Sequence, residues 1–212
     1  MNIEDLLKPS SDNPWDRYVP IITNKNYTEV FLTDQIDEPS QYNELCFKLK
    51  TASPAEVFTL HLNTPGGIID SATMIIDAIK TSKAKVIANI NGTVASAGTI
   101  ITLACDEVVV ADHTSFMIHN YSGGLSGKGH EMKARQEFID AQLNASFKTF
   151  YKGFLSEDEM EDVIDGKDMW MGKDEVVSRL KGTYHKGLSL DSNGDAIPAP
   201  KKRRGRPPKK DA

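Results

Sequence analysis

Between residues 57 and 118, short β-prone apolar runs alternate with segments of helical spacing. This alternation narrows the possible folds more than any other feature of the chain. Residues 57–62 read as a strand that ends at Asn63-Thr64-Pro65-Gly66-Gly67, a strong turn signal. Ile68, Ile69, Ala72, Ile75, Ile76 and Ile79 then recur on one helical face. A strand at 85–90 follows, Asn91-Gly92 breaks it, and a helix of small residues is expected over 96–104. Residues 107–111 and 115–118 read as two more strands. Strands separated by helices predict an α/β fold with a largely parallel sheet and helices packed against it.

Outside this block the pattern is looser. A strand is expected at 29–33 and a helix from Pro39 to about Lys50. The stretch 122–127 reads as an extended or flexible link before a long helix over 128–152. Ser156 with Glu159 forms a capping box for another helix, and a last helix covers 173–180. Residues 1–22 read as an arm, 23–187 as the folded domain, and 188–212 as a disordered basic tail with no apolar periodicity.

Charge divides the chain. Residues 201–212 hold seven Lys or Arg and one Asp, a charge of +6, while the 200 residues before them hold 18 basic and 29 acidic side chains, −11. Two functions are therefore expected, one for the acidic body and one for the basic tail. Cys46 and Cys105 lie in apolar patterns and read as buried thiols. Two cysteines provide no metal-site spacing. The amino terminus has no basic stretch followed by a long apolar run, and the longest apolar run is far too short to cross a bilayer. A cytoplasmic protein without metal or organic cofactor is expected.

Ser96 sits in Val94-Ala95-Ser96-Ala97-Gly98, between a strand and a helix. Its hydroxyl would lie at the positive end of a helix dipole, among residues small enough to admit a substrate. The same position suits an ordinary helix N-cap serine. Tandem Gly66-Gly67 lets the backbone approach a ligand and, with the N–H of Ala97, could form an oxyanion hole; it also suits a plain turn. His119 closes a strand and opens a Gly-rich stretch, a place from which an imidazole can take a serine proton. His61, His113, His130 and His185 fit that role less well. Asp168 precedes the apolar run Met169-Trp170-Met171 and could orient the imidazole. It is one of 30 acidic residues, so position alone does not select it.

Residues 30–37 (Val-Phe-Leu-Thr-Asp-Gln-Ile-Asp) resemble the opening strand of the Clp protease proteolytic subunits. In the same order, 60–67 resemble that family's Asn-Ser-Pro-Gly-Gly segment and 91–98 its nucleophile segment. Residues 116–119 resemble its histidine segment and 165–171 its aspartate segment. The resemblance implies a crotonase-like fold of stacked ββα units with a protruding handle helix at 128–152. It implies a serine endopeptidase with Ser96, His119 and Asp168 as triad and the N–H groups of Gly67 and Ala97 as oxyanion hole. Its partners would be copies of itself in stacked rings, a Clp-type AAA+ ATPase and a polypeptide substrate pairing along Gly123-Gly124. Ala97 stands where the family commonly has Met, and Asn120-Tyr121 where it has Gln-Pro; such divergence with a full triad resembles the phage-encoded members.

The tail Lys201-Lys202-Arg203-Arg204-Gly205-Arg206-Pro207-Pro208-Lys209-Lys210 resembles an AT-hook. Arg204, Gly205, Arg206 and Pro207 would lie in the minor groove of A·T-rich DNA, or the tail is a solvated segment that meets polyanions without preference. Two other readings remain open at this level: a non-catalytic ring tethered to DNA by the tail, and a crotonase-type acyl-CoA enzyme.

Overall fold

A computed structural model of the protein describes residues 19–180. The basic tail with Arg204, Gly205, Arg206 and Pro207 lies outside the described residues, as does most of the expected arm. The strands are β1 (Ile21–Asn24), β2 (Tyr27–Leu32), β3 (Val57–Thr64), β4 (Lys85–Ala95), β5 (Glu107–Val110), β6 (Ser115–Ile118) and β7 (Met169–Gly172). The helices are α1 (Asn43–Thr51), α2 (Ile69–Thr81), α3 (Ala97–Ala104), α4 (Gly129–Phe150), α5 (Glu157–Ile164) and α6 (Lys173–Arg179). All seven strands form one sheet of order β1-β2-β3-β4-β6-β7, with β5 paired to β4 off this path.

The centre is parallel and the edges are not. β2, β3 and β4 run parallel, as do β4 with β5 and β4 with β6, whereas β1 on β2 and β7 on β6 are antiparallel. The alternation read from 57–118 therefore gives the expected α/β architecture. β3 alternates along its length, and Phe58, Leu60 and Leu62 are buried on one face of the sheet. The helical stripe of α2 does what its spacing predicts, burying Ala72, Ile75, Ile76 and Ile79.

Two features differ from the sequence expectation. β1 was not expected; it forms a short antiparallel ribbon with β2 through a turn in which Lys25 takes φ +53°. Asn91-Gly92 does not end β4, which runs on to Ala95. After the pair Leu62–Ile90 the next pair is Thr64–Val94, so Asn63 of β3 faces Asn91, Gly92 and Thr93 of β4. The Asn63 side chain fills this bulge and accepts a hydrogen bond from the Thr93 N–H at 3.1 Å. Gly92 adopts φ +63°, and a Cβ there would meet the Asn63 amide at 2.9 Å. A turn signal has become a bulge because another strand supplies its missing partner.

The bulge forks the sheet. Before it, residues 87–90 of β4 pair with β5; after it, residues 93–95 pair with β6. β6 in turn recruits β7, and the carboxyl ends of β4 and β6 come to lie with the start of β7 at one end of the sheet.

The carboxyl-terminal helices are clamped to this end. Ser156 accepts from the Glu159 N–H at 3.2 Å and the Glu159 carboxylate accepts from the Ser156 N–H at 2.9 Å, the capping box expected for α5. Arg179 of α6 donates to both Glu159 oxygens, at 2.9 and 2.7 Å, and its guanidinium lies 5.9 Å from the centre of the Phe154 ring. The Arg179 hydrogen bond, followed by the Ser156 N–H, lowers the Glu159 carboxyl from its ordinary 4.5 to about 2. A carboxylate held down in the fold contributes stability above its ordinary titration point and loses it as pH falls towards 2. Arg179→Met should therefore lower the urea midpoint at pH 7, and the gap to the parent protein should close between about pH 5 and pH 2. A gap independent of pH would show that the clamp acts through packing alone.

Candidate active site

Ser96 occupies the single residue between β4 and α3, with φ +52° and ψ −123°. Side chains other than glycine rarely adopt this backbone, which costs on the order of 1–3 kcal/mol. The surroundings hold it there. The Ser96 N–H donates to the Met117 carbonyl of β6 at 2.9 Å. The Ser96 carbonyl accepts from the Thr99 N–H at 2.9 Å and the Thr99 hydroxyl at 2.6 Å. Thr99 Oγ1 also lies 2.5 Å from the buried hydroxyl of Tyr151, and burial pushes that phenol up beyond its usual range. Ser96 is the N-cap residue of α3 by position, yet its side chain makes no capping bond. The hydroxyl is half-buried and available, unlike that of a structural cap.

Gly66 and Gly67 are required by contact as well as by conformation. A Cβ on Gly66 (φ +95°) would lie 2.6 Å from Ser96 Cβ and 2.8 Å from the Ala95 carbonyl oxygen. A Cβ on Gly67 (φ +150°) would lie 2.1 Å from the Ile36 carbonyl oxygen. The Ile36 N–H donates to the Gly66 carbonyl at 2.8 Å and the Ile68 N–H to the Ile36 carbonyl at 2.7 Å, so the glycine turn is stitched to the chain after β2. Among the described residues, neither the Gly67 N–H nor the Ala97 N–H has an acceptor. The turn expected from Pro65-Gly66-Gly67 thus also leaves free donors beside Ser96.

His119 follows β6 by one residue and Asp168 precedes β7 by one. The β6–β7 register pairs Ser115 with Gly172, Phe116 with Met171, Met117 with Trp170 and Ile118 with Met169. The ladder ends at the pair Ile118–Met169, and His119 and Asp168 are the next residue of each chain segment beyond it. Ser96, His119, Gly67 and Ala97 line one groove of roughly 1030 Å³. Gly123 and Gly124 form part of its rim and α4 its far wall. Asp168 is exposed and does not line the groove. Among the described residues, no hydrogen bond joins Ser96 Oγ to His119 or His119 to Asp168. The other described histidines are elsewhere: His61 stacks on Phe31 and bonds Glu29 at 2.5 Å, and His113 and His130 are exposed.

A cluster not anticipated from the sequence lines the α4 side of the groove. The Tyr121 hydroxyl donates to Asp140 Oδ1, and Gln136 donates to that hydroxyl at 2.6 Å and to Asp140 Oδ1 at 2.8 Å. Asp140 raises the Tyr121 phenol above its usual range. Asn120 donates to the Ile164 carbonyl at 2.8 Å. The spacing 136, 140, 144 of polar residues on α4 was the available signal, together with Asn120-Tyr121 in place of Gln-Pro. Among the described residues, no group of three or more His, Cys, Asp or Glu is placed to hold a metal, and no helix is long and apolar enough to cross a membrane.

A forked, mainly parallel sheet, with a strained serine turn at the carboxyl end of its central strand and unbonded N–H groups at Gly67 and Ala97 in the same groove, places the chain among crotonase-like α/β proteins. The family model of the Clp protease matches residues 17–178, and the chain belongs to that family of serine peptidases. It is 28% identical over 153 residues to ATP-dependent Clp protease proteolytic subunit 2 of Pseudomonas aeruginosa, across 70% of this chain and 76% of that relative. It is also 28% identical over 163 residues to proteolytic subunit 1 of Protochlamydia amoebophila, across 70% and 75%. A solved ClpP1 variant from Listeria monocytogenes superposes with a TM-score of 0.60 at 21% identity, over 74% of this chain and 89% of that one, a likeness of fold.

Since Gly66 is packed on the serine, Gly66→Ala should displace Ser96 first. We expect it to slow fluorophosphonate labelling at Ser96 by at least about 100-fold while costing about 1–3 kcal/mol in urea unfolding. Labelling at the parent rate would show that the close contact has no bearing on the hydroxyl.

Proposed function

We propose that the protein is an oligomeric serine endopeptidase acting on extended polypeptides, with Ser96 as nucleophile, His119 as general base and acid, and Asp168 as the residue that orients the imidazole. The observation behind this reading is the uncapped Ser96 hydroxyl, in one groove with His119 and with two N–H groups that have no other acceptor. Ser96 Oγ attacks the scissile carbonyl carbon as His119 takes its proton. The negative charge that develops on the carbonyl oxygen is met by the N–H groups of Gly67 and Ala97. His119 then returns the proton to the leaving amine, leaving an acyl ester on Ser96. A water, deprotonated by His119, releases the second product by the same route. Substrate lies as an added strand along Gly123-Gly124, whose surroundings are open. Catalytic hydrogen bonds commonly tighten only when substrate or a neighbouring subunit is in place, which fits the open arrangement of the three residues.

Other copies of the chain, stacked as rings, are the proposed setting. The long polar α4 buries Phe147 and exposes Phe138, as a helix does when another subunit covers it. A Clp-type AAA+ ATPase is the proposed source of unfolded substrate, since the similar proteins are subunits of ATP-dependent proteases. Fluorophosphonate treatment followed by mass spectrometry should place an adduct on Ser96, and His119→Ala should abolish it. Ser96→Ala should end peptide cleavage without changing the assembly seen by size-exclusion chromatography, and Asp168→Asn should lower kcat by about 10²–10⁴-fold. Equal turnover by Ser96→Ala sinks the assignment.

The tail is proposed as a separate module that contacts DNA or another polyanion, with Arg204, Gly205, Arg206 and Pro207 as its minor-groove core. Its +6 charge against a −11 body supports this. Removing residues 201–212 should abolish retention on an A·T-rich duplex and spare peptide cleavage. Loss of both together would show that the two modules are not independent.

A further inference from the structure

The far wall of the groove carries a charge for which the described residues provide no cation. Gln136, Asp140 and Asn144 follow one another at intervals of four along α4, on a single face of the helix. Asp140 is half-buried and lines the groove. Among the residues lining that groove it is the one carboxylate, and no Lys or Arg is present. Its Oδ1 accepts from Tyr121 and Gln136, both neutral donors, and its Oδ2 receives no hydrogen bond from any described residue. One turn deeper, the Asn144 side-chain oxygen is buried and has no hydrogen-bond partner, the single such side-chain atom among the described residues. Asp140 therefore presents a carboxylate oxygen to the groove without a donor, and a second acceptor without a donor lies buried one turn further along the helix. An anionic group taken out of water needs either a cation or its desolvation cost uncompensated. Ile139, Leu143, Phe147 and Ile100 supply apolar surface around the two acceptors.

Resting on the peptidase reading, we propose that this pocket binds a basic side chain of the substrate, the Lys or Arg next to the scissile bond, with Asp140 and Asn144 as its specificity-determining residues. The methylene stem lies against the apolar wall, as long cationic side chains pack when their heads are solvated or paired. The ammonium or guanidinium pairs with Asp140 Oδ2, and a turn of the Asn144 side chain towards the groove on binding gives its buried oxygen the donor it lacks. A neutral side chain of the same length fills the pocket but leaves them unpaired, and this difference sets the preference.

The test uses peptidyl phosphonates identical except for lysine or norleucine at the residue adjoining the phosphorus, reacted with the full-length protein. Adduct formation at Ser96 is followed by mass spectrometry. We expect the lysine compound to react at least about tenfold faster than the norleucine compound. Asp140→Asn, an isosteric change, should bring the ratio of the two rates towards one; taking the ratio cancels any effect of the variant on the serine itself. Equal rates in the parent protein, or an unchanged ratio in Asp140→Asn, overturn the pocket assignment and leave the peptidase reading standing. If neither compound modifies Ser96, the peptidase reading fails, and binding of butylguanidinium, followed through the Tyr121 ring signals by NMR, decides the pocket alone. Saturable shifts lost in Asp140→Asn would support a cation site there, and their absence would overturn it.

Discussion

The residues that β4 has in excess of β3 at Asn91, Gly92 and Thr93 decide which strand stands beside Ser96. Without that bulge β4 would continue against β5, and the serine would emerge next to a strand bearing no histidine. With it, β4 changes neighbour to β6, and Met117 of β6 accepts the Ser96 N–H. Asn63 holds the bulge by bonding the Thr93 N–H, so one polar side chain on β3 fixes the partner of a strand beside it. β7 then follows by antiparallel pairing, which brings the start of β7 beside the end of β6. The three proposed catalytic residues come from segments far apart in sequence because the fork gathers three strand termini at one end of the sheet.

The strained serine depends on a second layer of contacts. Thr99 bonds the Ser96 carbonyl, and Tyr151, which follows α4, bonds Thr99 in turn. Gly66 closes the other side so tightly that no side chain fits there. An unfavourable backbone persists only where its surroundings over-determine it, and here a helix, a turn and a neighbouring strand all do so.

Much of this was legible in the chain itself. The alternation over 57–118 gave the α/β class, the spacing of Ala72, Ile75, Ile76 and Ile79 gave the buried face of α2, and Ser156 with Glu159 gave the cap of α5. These are local signals, and local periodicity reports them. What failed was non-local. Asn91-Gly92 reads as a turn until Asn63 arrives from another strand. The Tyr121 contact with Asp140 spans a segment with no periodicity, so its pairing could not be read from spacing. Ser96 and Gly66-Gly67 were visible as candidates, but only the φ of the serine and the absence of a capping bond separate a poised hydroxyl from an ordinary cap. Asp168 could be singled out among the carboxylates by resemblance, and the β6–β7 register adds a geometric reason for the same residue.

One wall of the groove is a helix that the domain barely holds. Over 22 residues α4 buries only Phe147, near its carboxyl end, and the amino-terminal turns are exposed. Amide hydrogen exchange along such a helix is graded, slow at the anchored end and fast at the free one. Gln136 and Asp140 lie on the part between. Anything that occupies the groove must therefore also order this stretch, and whatever orders it, including a neighbouring subunit, reduces the entropy that a ligand has to remove on binding. In the proposed ring, a neighbouring subunit packed on this helix would in this way raise the affinity of the groove without any change in the shape of the sheet.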